Sequence, residues 1–433
     1  MSEGKKTAFL LSIGEELLEG RIVDTNAPFL AEEFLGLGMA VVGMHTCGDA
    51  PGSFAEQLSR WDGEVDVLVA TGGLGPTVDD RVRAECAEFL ETTLVDIPGA
   101  VEPLQDYFSK NAEADAPEYF LTQGRMPSGA SAFRNRAGTA WAFYVRLPKG
   151  SLLCCLPGPP HEVQAVWRDG GAKTMLADSF GMPEAHAFGT FQTVGVPEAI
   201  LELQVRDLLE HGKNPRMGIT ARGKVVTLSA MAHPEGDASA KTVLEATAVE
   251  LRNRLGPVLF GRDGDTLAAR VVRALASQGQ SVATAESCTG GQLSQALTDI
   301  PGASKVFRYG WITYADEAKS SELGVDAALI QKYGAVSEEV ACAMADGAQQ
   351  RSHSDWALAL TGVAGPDGGT SAKPVGLVWL GIAGPHGVTA IRRQQGTRAG
   401  RPGVQQGAVM DALDLLRREL LGIPSLDSTP SPD

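Results

Sequence analysis

Six cysteines in 433 residues, with no pair in a CxxC spacing, leave little material for a disulfide framework or a zinc site. Cys47, Cys86, Cys154, Cys155, Cys288 and Cys342 are scattered along the chain. Free cysteine is most often a small buried hydrophobe, so a reducing compartment is expected. Long apolar runs are also missing. The opening stretch, MSEGKKTAFLLSIGEELLEG, is interrupted by Glu15 and Glu16, which suits a first core strand better than a signal peptide. Nothing approaches the ~20 apolar residues of a membrane span. The expectation is a soluble, cytoplasmic protein with no membrane partner. Positive charge is scarce as well: 37 Lys and Arg against 53 Asp and Glu give a net charge of −16. Direct nucleic-acid binding needs clustered cations and is not expected. A small anionic substrate remains compatible, because backbone N–H groups can hold phosphate without net positive charge.

What the chain does have is enough length for several domains and an ordinary 43% of hydrophobic residues to fill their cores. Up to about residue 171, strand and helix patterns alternate. Strands are expected at 7–13, 39–46 and 65–71, and helices at 25–37, 53–61 and 80–91, which predicts a parallel sheet covered on both faces. Residues 172–257 change to an α+β pattern, with strand-like 187–194 and 225–232 and helices 198–211 and 238–255. From 258 to 424 the alternation returns, with helix 265–278, strand SVATAES, strands 356–361 and 375–383, and a last helix 403–420. The fold class expected is α/β, two three-layer domains with mostly parallel sheets joined by a small α+β module. The polar, proline-rich tail 425–433 is expected to be disordered.

Two regions carry chemistry. In TGGLGPTVDD (71–80) a buried strand ends in glycines and leads to a helix headed by Asp79 and Asp80. Glycines allow close backbone approach to a ligand, and two carboxylates suit a magnesium-like cation bridging to phosphate. The plainer alternative is that such an aspartate caps the helix. In TAESCTGG (284–291), Ser287 lies at a strand-to-helix turn, with Thr289 as the expected cap and Gly290-Gly291 admitting a ligand. Ser287 as a simple cap is the alternative there. Downstream, Tyr314 and Lys319 in ITYADEAKSSELGV lie five apart, within reach of the serine if a strand end turns into a helix. A serine hydroxyl needs a base, and a desolvated lysine can serve. Tyr314 can relay a proton or donate to an oxyanion. A third segment, LTGVAGPDGGTSAKPVGLVWLG (360–381), places Asp367, Thr370 and Lys373 after glycines and suits a phosphate-bearing nucleotide, or is a flexible loop. His353 and His386 stand alone and read as surface residues.

SIGEELLEGRIVDTN (12–26), Cys47-Gly48-Asp49, TGGLGPTVDD and LPGPPHEV (156–163), in that order, resemble the N-terminal domain of CinA-family proteins, itself similar to molybdopterin-binding MogA/MoaB domains. The resemblance carries over onto Gly14, Glu16, Asn26, Gly72, Gly73, Gly75, Pro157 and Gly158 as site positions. It implies Asp49, Asp79 and Asp80 as ligands of a divalent metal (Mg, Mn or Co) and metal-dependent ADP-ribose pyrophosphatase activity. The three later segments resemble the C-terminal CinA domain, also found as a stand-alone nicotinamide mononucleotide deamidase. That implies Ser287 as nucleophile, Lys319 as base and Tyr314 as assistant, with no cofactor. Thr289, Gly290, Gly291, Thr361, Gly365, Lys373 and Arg398 then face the substrate. Residues 172–257 resemble the KH-like connector of full-length CinA proteins, without the basic GxxG loop that clamps RNA. A homodimer is expected from base rates.

The chain departs from the family pattern at five places. Val82 stands where the family has Thr, Trp141 interrupts a GTAPG-like segment, and Asp316 replaces Asn. Thr397 and Pro402 replace an aspartate and an arginine, for which Arg401 is a shifted candidate. The reading is therefore a bifunctional nicotinamide-nucleotide hydrolase acting on nicotinamide mononucleotide and ADP-ribose. The alternatives are a molybdopterin-binding or adenylyl-transfer protein, and a non-enzymatic partner in competence or DNA damage.

Overall fold

The computed structural model describes residues 6–112, 115–180 and 186–424, without the side chains of 111 and 112; the tail expected to be disordered lies outside the described residues. The chain divides into two compact units. One is built on residues up to Phe188 together with His233–Lys241, the other on Gly189–Ala232 and the chain from Thr242 onward.

The first unit contains strands β1 (Thr7–Ile13), β2 (Ala40–Cys47), β3 (Val67–Thr71), β4 (Leu94–Asp96), β5 (Arg125–Pro127), β6 (Ser131–Phe133), β7 (Ala142–Arg146) and β8 (Leu152–Leu156). Six of them form one sheet in the order β2-β1-β3-β8-β7-β6. The neighbours from β2 to β8 run parallel, and β7 and β6 are added antiparallel. Successive side chains of a strand point to opposite faces. Accordingly Ala8, Leu10, Val67 and Val69 enter one core, while Phe9, Leu11, Leu68 and Ala70 enter another. Helices Asn26–Gly36 and Pro160–Arg168 contribute to the first core, Ser53–Trp61 and Val82–Phe89 to the second. This is the expected three-layer arrangement.

The second unit holds two sheets. Strands β9 (Ala187–Val194), β10 (Arg216–Arg222), β11 (Val225–Ala232) and β12 (Leu259–Arg262) pair in the order β10-β11-β9-β12, with helices Glu198–Leu209 and Ala240–Leu255 completing the α+β module. Strands β13 (Val282–Glu286), β14 (Phe307–Ile312), β15 (Trp356–Gly362), β16 (Leu377–Gly384) and β17 (Gly387–Gln394) form the larger sheet, ordered β14-β13-β15-β16-β17. Its β14, β13 and β15 are parallel, and β16 and β17 follow as antiparallel hairpins. The fold class is mixed α/β throughout.

The two faces of the larger sheet differ in residue size, and the difference positions chemistry. Val282, Leu358 and Leu360 pack toward helices Leu267–Gln278 and Gly400–Leu421. Ala283, Ala285, Ala357 and Ala359 line the other face, where small side chains let helix Glu338–Ser352 come close. A Cβ on Gly381 would stand 2.3 Å from the Ala341 carbonyl of that helix. The last helix is joined to the α+β module by the buried Asp414, which accepts from Arg417 and Arg418, while Arg417 also donates to the Pro257 carbonyl. Among the described residues, no helix is long and apolar enough to cross a membrane.

Candidate active sites

In the first unit the parallel strands β2, β1, β3 and β8 end together, and ligands of such sheets bind beyond these carboxyl ends. Asp49 follows β2, Gly14 follows β1, Gly72-Gly73 follow β3 and Pro157-Gly158 follow β8. Gly72 has φ +103°, and a Cβ there would lie 2.3 Å from the Ile13 carbonyl, so only glycine fits the turn. Gly158 packs on Gly72, and Asn26 donates from Nδ2 to the Gly158 carbonyl at 2.7 Å. The glycine, IGEE and PGP segments are thus brought to one sheet edge.

The carboxylates arrange themselves differently from expectation. The helix begins at Val82, with Arg81 at the cap position making no side-chain capping bond, so neither aspartate opens it. Asp80 folds back to accept from the Thr77 N–H at 2.8 Å and its hydroxyl at 2.5 Å. A side chain on Gly75 would displace that carboxylate, whose Oδ2 lies 2.6 Å from the Cβ position. Asp49 and Asp79 do line one small recess, of about 10 Å³, together with Glu85 and Val82. Glu85 is already satisfied, accepting from the Gly52 and Ala55 N–H groups and from Arg81. The expected metal set Asp49, Asp79 and Asp80 is therefore not assembled: among the described residues no three His, Cys, Asp or Glu side chains converge to hold an ion. Val82, where a hydroxyl was expected, is 2% exposed and packs on Gly73.

Arg83, which sequence reasoning passed over, fixes the glycine loop. It is buried and donates to the carbonyls of Leu74, Gln123, Arg125 and Trp141 at 2.6–3.1 Å, with no carboxylate partner among the described residues. Burial pulls its pKa down to about 10, against the raising influence of Cys155 and Asp80.

In the second unit the site grows from the strand register. Glu286 pairs with Ile312 on one side and Leu360 on the other, so Ser287 sits between Thr313 and Thr361. Its N–H donates to the Leu360 carbonyl at 2.9 Å, and the Thr313 N–H donates to the Glu286 carbonyl at 2.8 Å. Alternation puts Ser287 on the Ala283–Ala285 face, the one that also receives Leu323 from helix Asp316–Leu323. That helix carries Lys319, which is 1% exposed. Its Nζ donates to the carbonyls of Thr313 at 3.1 Å, Tyr314 at 3.4 Å and Ala315 at 3.5 Å, and pairs with Asp316 at 3.3 Å. Asp316, the replacement for the expected Asn, thus reaches the lysine directly. The Thr313 hydroxyl is buried beside these groups and has no hydrogen-bond partner among the described residues.

Cys288, next to the serine, keeps its proton: burial pushes its thiol up to about 12, and the charges of Arg401 and Lys319 only partly offset this. That thiol does not compete as a nucleophile. Tyr314 is exposed, and its hydroxyl accepts from Arg401 Nη2 at 2.7 Å, while Nη1 of the same arginine donates to the Gly365 carbonyl at 2.9 Å. Arg401 therefore ties Tyr314 to the glycine loop. Arg398 is exposed and makes no hydrogen bond or ion pair among the described residues, while Arg401, the shifted candidate for the arginine replaced by Pro402, reaches Tyr314 and the glycine loop. Thr361 donates to the Ala335 carbonyl and Lys373 to the Tyr333 carbonyl, both at 2.7 Å, which fastens the start and end of the loop to one neighbouring turn.

Thr289 is not the cap that was expected. Gly291 holds that position, and Glu286 supplies the carboxylate. Glu286 is 0% exposed and accepts from the N–H groups of Gly291, Leu293 and Ser294 and from the hydroxyls of Thr289 and Ser294, at 2.6–3.0 Å. An acid ending a buried strand just before a helix start was the available signal for it.

Three family models match the chain: the CinA C-terminal domain over residues 264–420, the probable molybdopterin binding domain over 9–175, and the damage-inducible protein CinA KH domain over 189–261. A CinA-like protein of Gloeobacter violaceus is 38% identical across 96% of this chain and 97% of its own length. The chain belongs to the CinA family. A putative competence-damage inducible protein of Symbiobacterium thermophilum is 37% identical over 96% of this chain and 99% of that protein. Among solved structures, a competence/damage inducible protein of Agrobacterium tumefaciens is 42% identical, covering 36% of this chain and 93% of its own, with a TM-score of 0.35.

Proposed function

We propose that the C-terminal half of this CinA-family protein is an amidase that hydrolyses the carboxamide of nicotinamide mononucleotide. One observation carries the reading: Ser287 stands beside Thr313, and the buried Lys319 amine rests on the Thr313 carbonyl. Ser287 Oγ attacks the carboxamide carbon as its proton passes to Lys319. Collapse of the tetrahedral adduct expels the nitrogen, which takes that proton and leaves as ammonia. A nicotinoyl ester on Ser287 remains. Water, deprotonated by Lys319, cleaves the ester to nicotinic acid mononucleotide and restores the serine. Arg401, with Tyr314, gives the anionic phosphate a cation at the mouth of the site. The test is intact-mass spectrometry of enzyme quenched during turnover. A nicotinic acid mononucleotide adduct on the peptide containing Ser287, absent from Ser287→Ala, is the expected result. Turnover with no adduct, and undiminished in Ser287→Ala, overturns the reading.

A second reading belongs to the first unit. The recess shared by Asp49 and Asp79 beside the glycine loop supports hydrolysis of ADP-ribose. A divalent ion held by these two carboxylates would neutralise diphosphate charge there. Release of AMP from ADP-ribose should then vanish with EDTA and in Asp79→Asn. Release indifferent to both rejects this reading.

A further inference from the structure

Most backbone N–H groups from Ser287 to Ser294 have an acceptor. Ser287 donates to the Leu360 carbonyl at 2.9 Å, Gly290 to the Ser287 carbonyl at 3.2 Å and Gln292 to the Thr289 carbonyl at 3.3 Å. Gly291, Leu293 and Ser294 donate to the Glu286 carboxylate. Cys288 and Thr289 remain: they are 5% and 1% exposed, and their N–H groups donate to no oxygen among the described residues. Buried N–H groups without an acceptor are rare in folded chains. We propose that these two N–H groups receive the oxyanion of the amidase reaction, and that Gln405 is the positioning residue that aims them. This rests on the amidase reading above.

A trans peptide is planar, so its C=O and N–H point in opposite directions. Fixing one carbonyl therefore fixes the donor of the next residue. Gln405, on helix Gly400–Leu421, donates from Nε2 to the Cys288 carbonyl at 2.8 Å, and its Oε1 accepts from Gln292 at 3.2 Å. The Thr289 N–H is thereby turned away from that helix. Helix Gly400–Leu421 covers the Val282 and Leu358 face of the sheet, while Ser287 projects on the Ala283 and Ala285 face. The Thr289 donor is thus directed toward the side that carries the nucleophile. The Ser287 carbonyl, held by the Gly290 N–H, turns the Cys288 donor outward from the turn in the same way. When Ser287 Oγ bonds to the carboxamide carbon, the π pair of C=O moves onto the oxygen, and two preset donors meet that charge. The pair returns to re-form C=O as ammonia leaves. The buried Thr313 hydroxyl beside Ser287 is likewise unpartnered among the described residues. Donors in this site therefore outnumber acceptors, as a developing anion requires.

The test compares nicotinamide mononucleotide with its thioamide, in which sulfur, a larger and weaker acceptor, takes the developing charge. Full-length wild type, Gln405→Met and Gln405→Glu are assayed on both. Each variant removes the Nε2 donor and keeps the length of the side chain. The amide kcat should fall about thirty-fold in each, short of the ~100–1,000-fold that deleting an oxyanion donor costs. KM should stay within about three-fold of wild type, because the donors act on the transition state. Wild type should prefer the amide, and that preference should shrink at least about ten-fold in both variants, since misaimed donors lose more on oxygen than on sulfur. The preference is a ratio within one preparation, so partial misfolding lowers both rates and leaves it unchanged. Variants that slow both substrates equally, or slow neither, overturn the role of Gln405 and leave the amidase standing. Folded wild-type protein that hydrolyses neither substrate overturns the amidase reading, and this proposal with it.

Discussion

Replacing Glu286 by alanine should loosen the nucleophile turn far more than a surface change would. The carboxylate takes three backbone N–H groups, from Gly291, Leu293 and Ser294, and two hydroxyls. The hydroxyls can re-pair; Ser294 already contacts the Thr284 hydroxyl at 2.8 Å. The three N–H groups cannot, and a buried donor left unsatisfied costs about 1–3 kcal/mol. Water entering past the exposed Gly290 offsets part of this, so a loss of about 4 kcal/mol is expected. That is a large share of the ~5–15 kcal/mol that holds a typical domain together. Glu286→Gln keeps one acceptor oxygen but turns an NH2 toward Ser294, and should lose about 2 kcal/mol. Hydrogen exchange read by mass spectrometry on a peptide covering 282–298 localises the effect. Since ~1.4 kcal/mol is a factor of ten, exchange should quicken about a thousand-fold in the alanine variant and about thirty-fold in the glutamine variant. Exchange within ten-fold of wild type in both would refute the claim that Glu286 builds the turn.

Other outcomes follow from the same structure. Arg83→Met leaves four carbonyls without their donor while relieving a buried charge, so a net loss of about 2 kcal/mol is expected in urea titration. An unchanged midpoint would mean the glycine loop holds itself. Stability should fall as pH rises above 9.0, the ordinary thiol value, because burial raises Cys47 to about 11 and Cys86, Cys154 and Cys288 to about 12. The unfolded thiols ionise first, and the stabilisation is lost as pH climbs through the folded values. A urea midpoint flat from pH 8 to 10.5 contradicts those burials. Arg401→Ala should raise the KM for nicotinamide mononucleotide about ten-fold with kcat within a few-fold, as for a residue that binds phosphate equally in ground and transition states. A loss confined to kcat would assign it to the chemistry instead.

The placement of Ser287 at a strand end and of Lys319 on the helix after another strand was legible in the sequence, because each lies in a local pattern set by a strand end and the helix that follows. Glu286 offered only the signal of an acid closing a buried strand before a helix start, and its role shows only when that helix folds back over it. Arg83 gave still less warning: its acceptors lie 9, 40, 42 and 58 residues away. Asp79 and Asp80 misled through adjacency. Neighbouring residues point differently, and the Thr77 turn captured one of them before the helix began. Strand β8 escaped because LLCCL is buried on both faces and shows no alternation to read. Arg401 was visible only as a shifted candidate for the arginine replaced by Pro402, because its contact with Tyr314 spans 87 positions.

The central claim is tested most directly by ammonia release from nicotinamide mononucleotide in the presence of EDTA, comparing wild type with Ser287→Ala and Lys319→Met. A metal-independent rate in the wild type that falls at least about a thousand-fold in both variants is predicted. Folded wild-type protein that releases no ammonia, or a Ser287→Ala variant that releases it at the wild-type rate, would contradict a serine–lysine amidase.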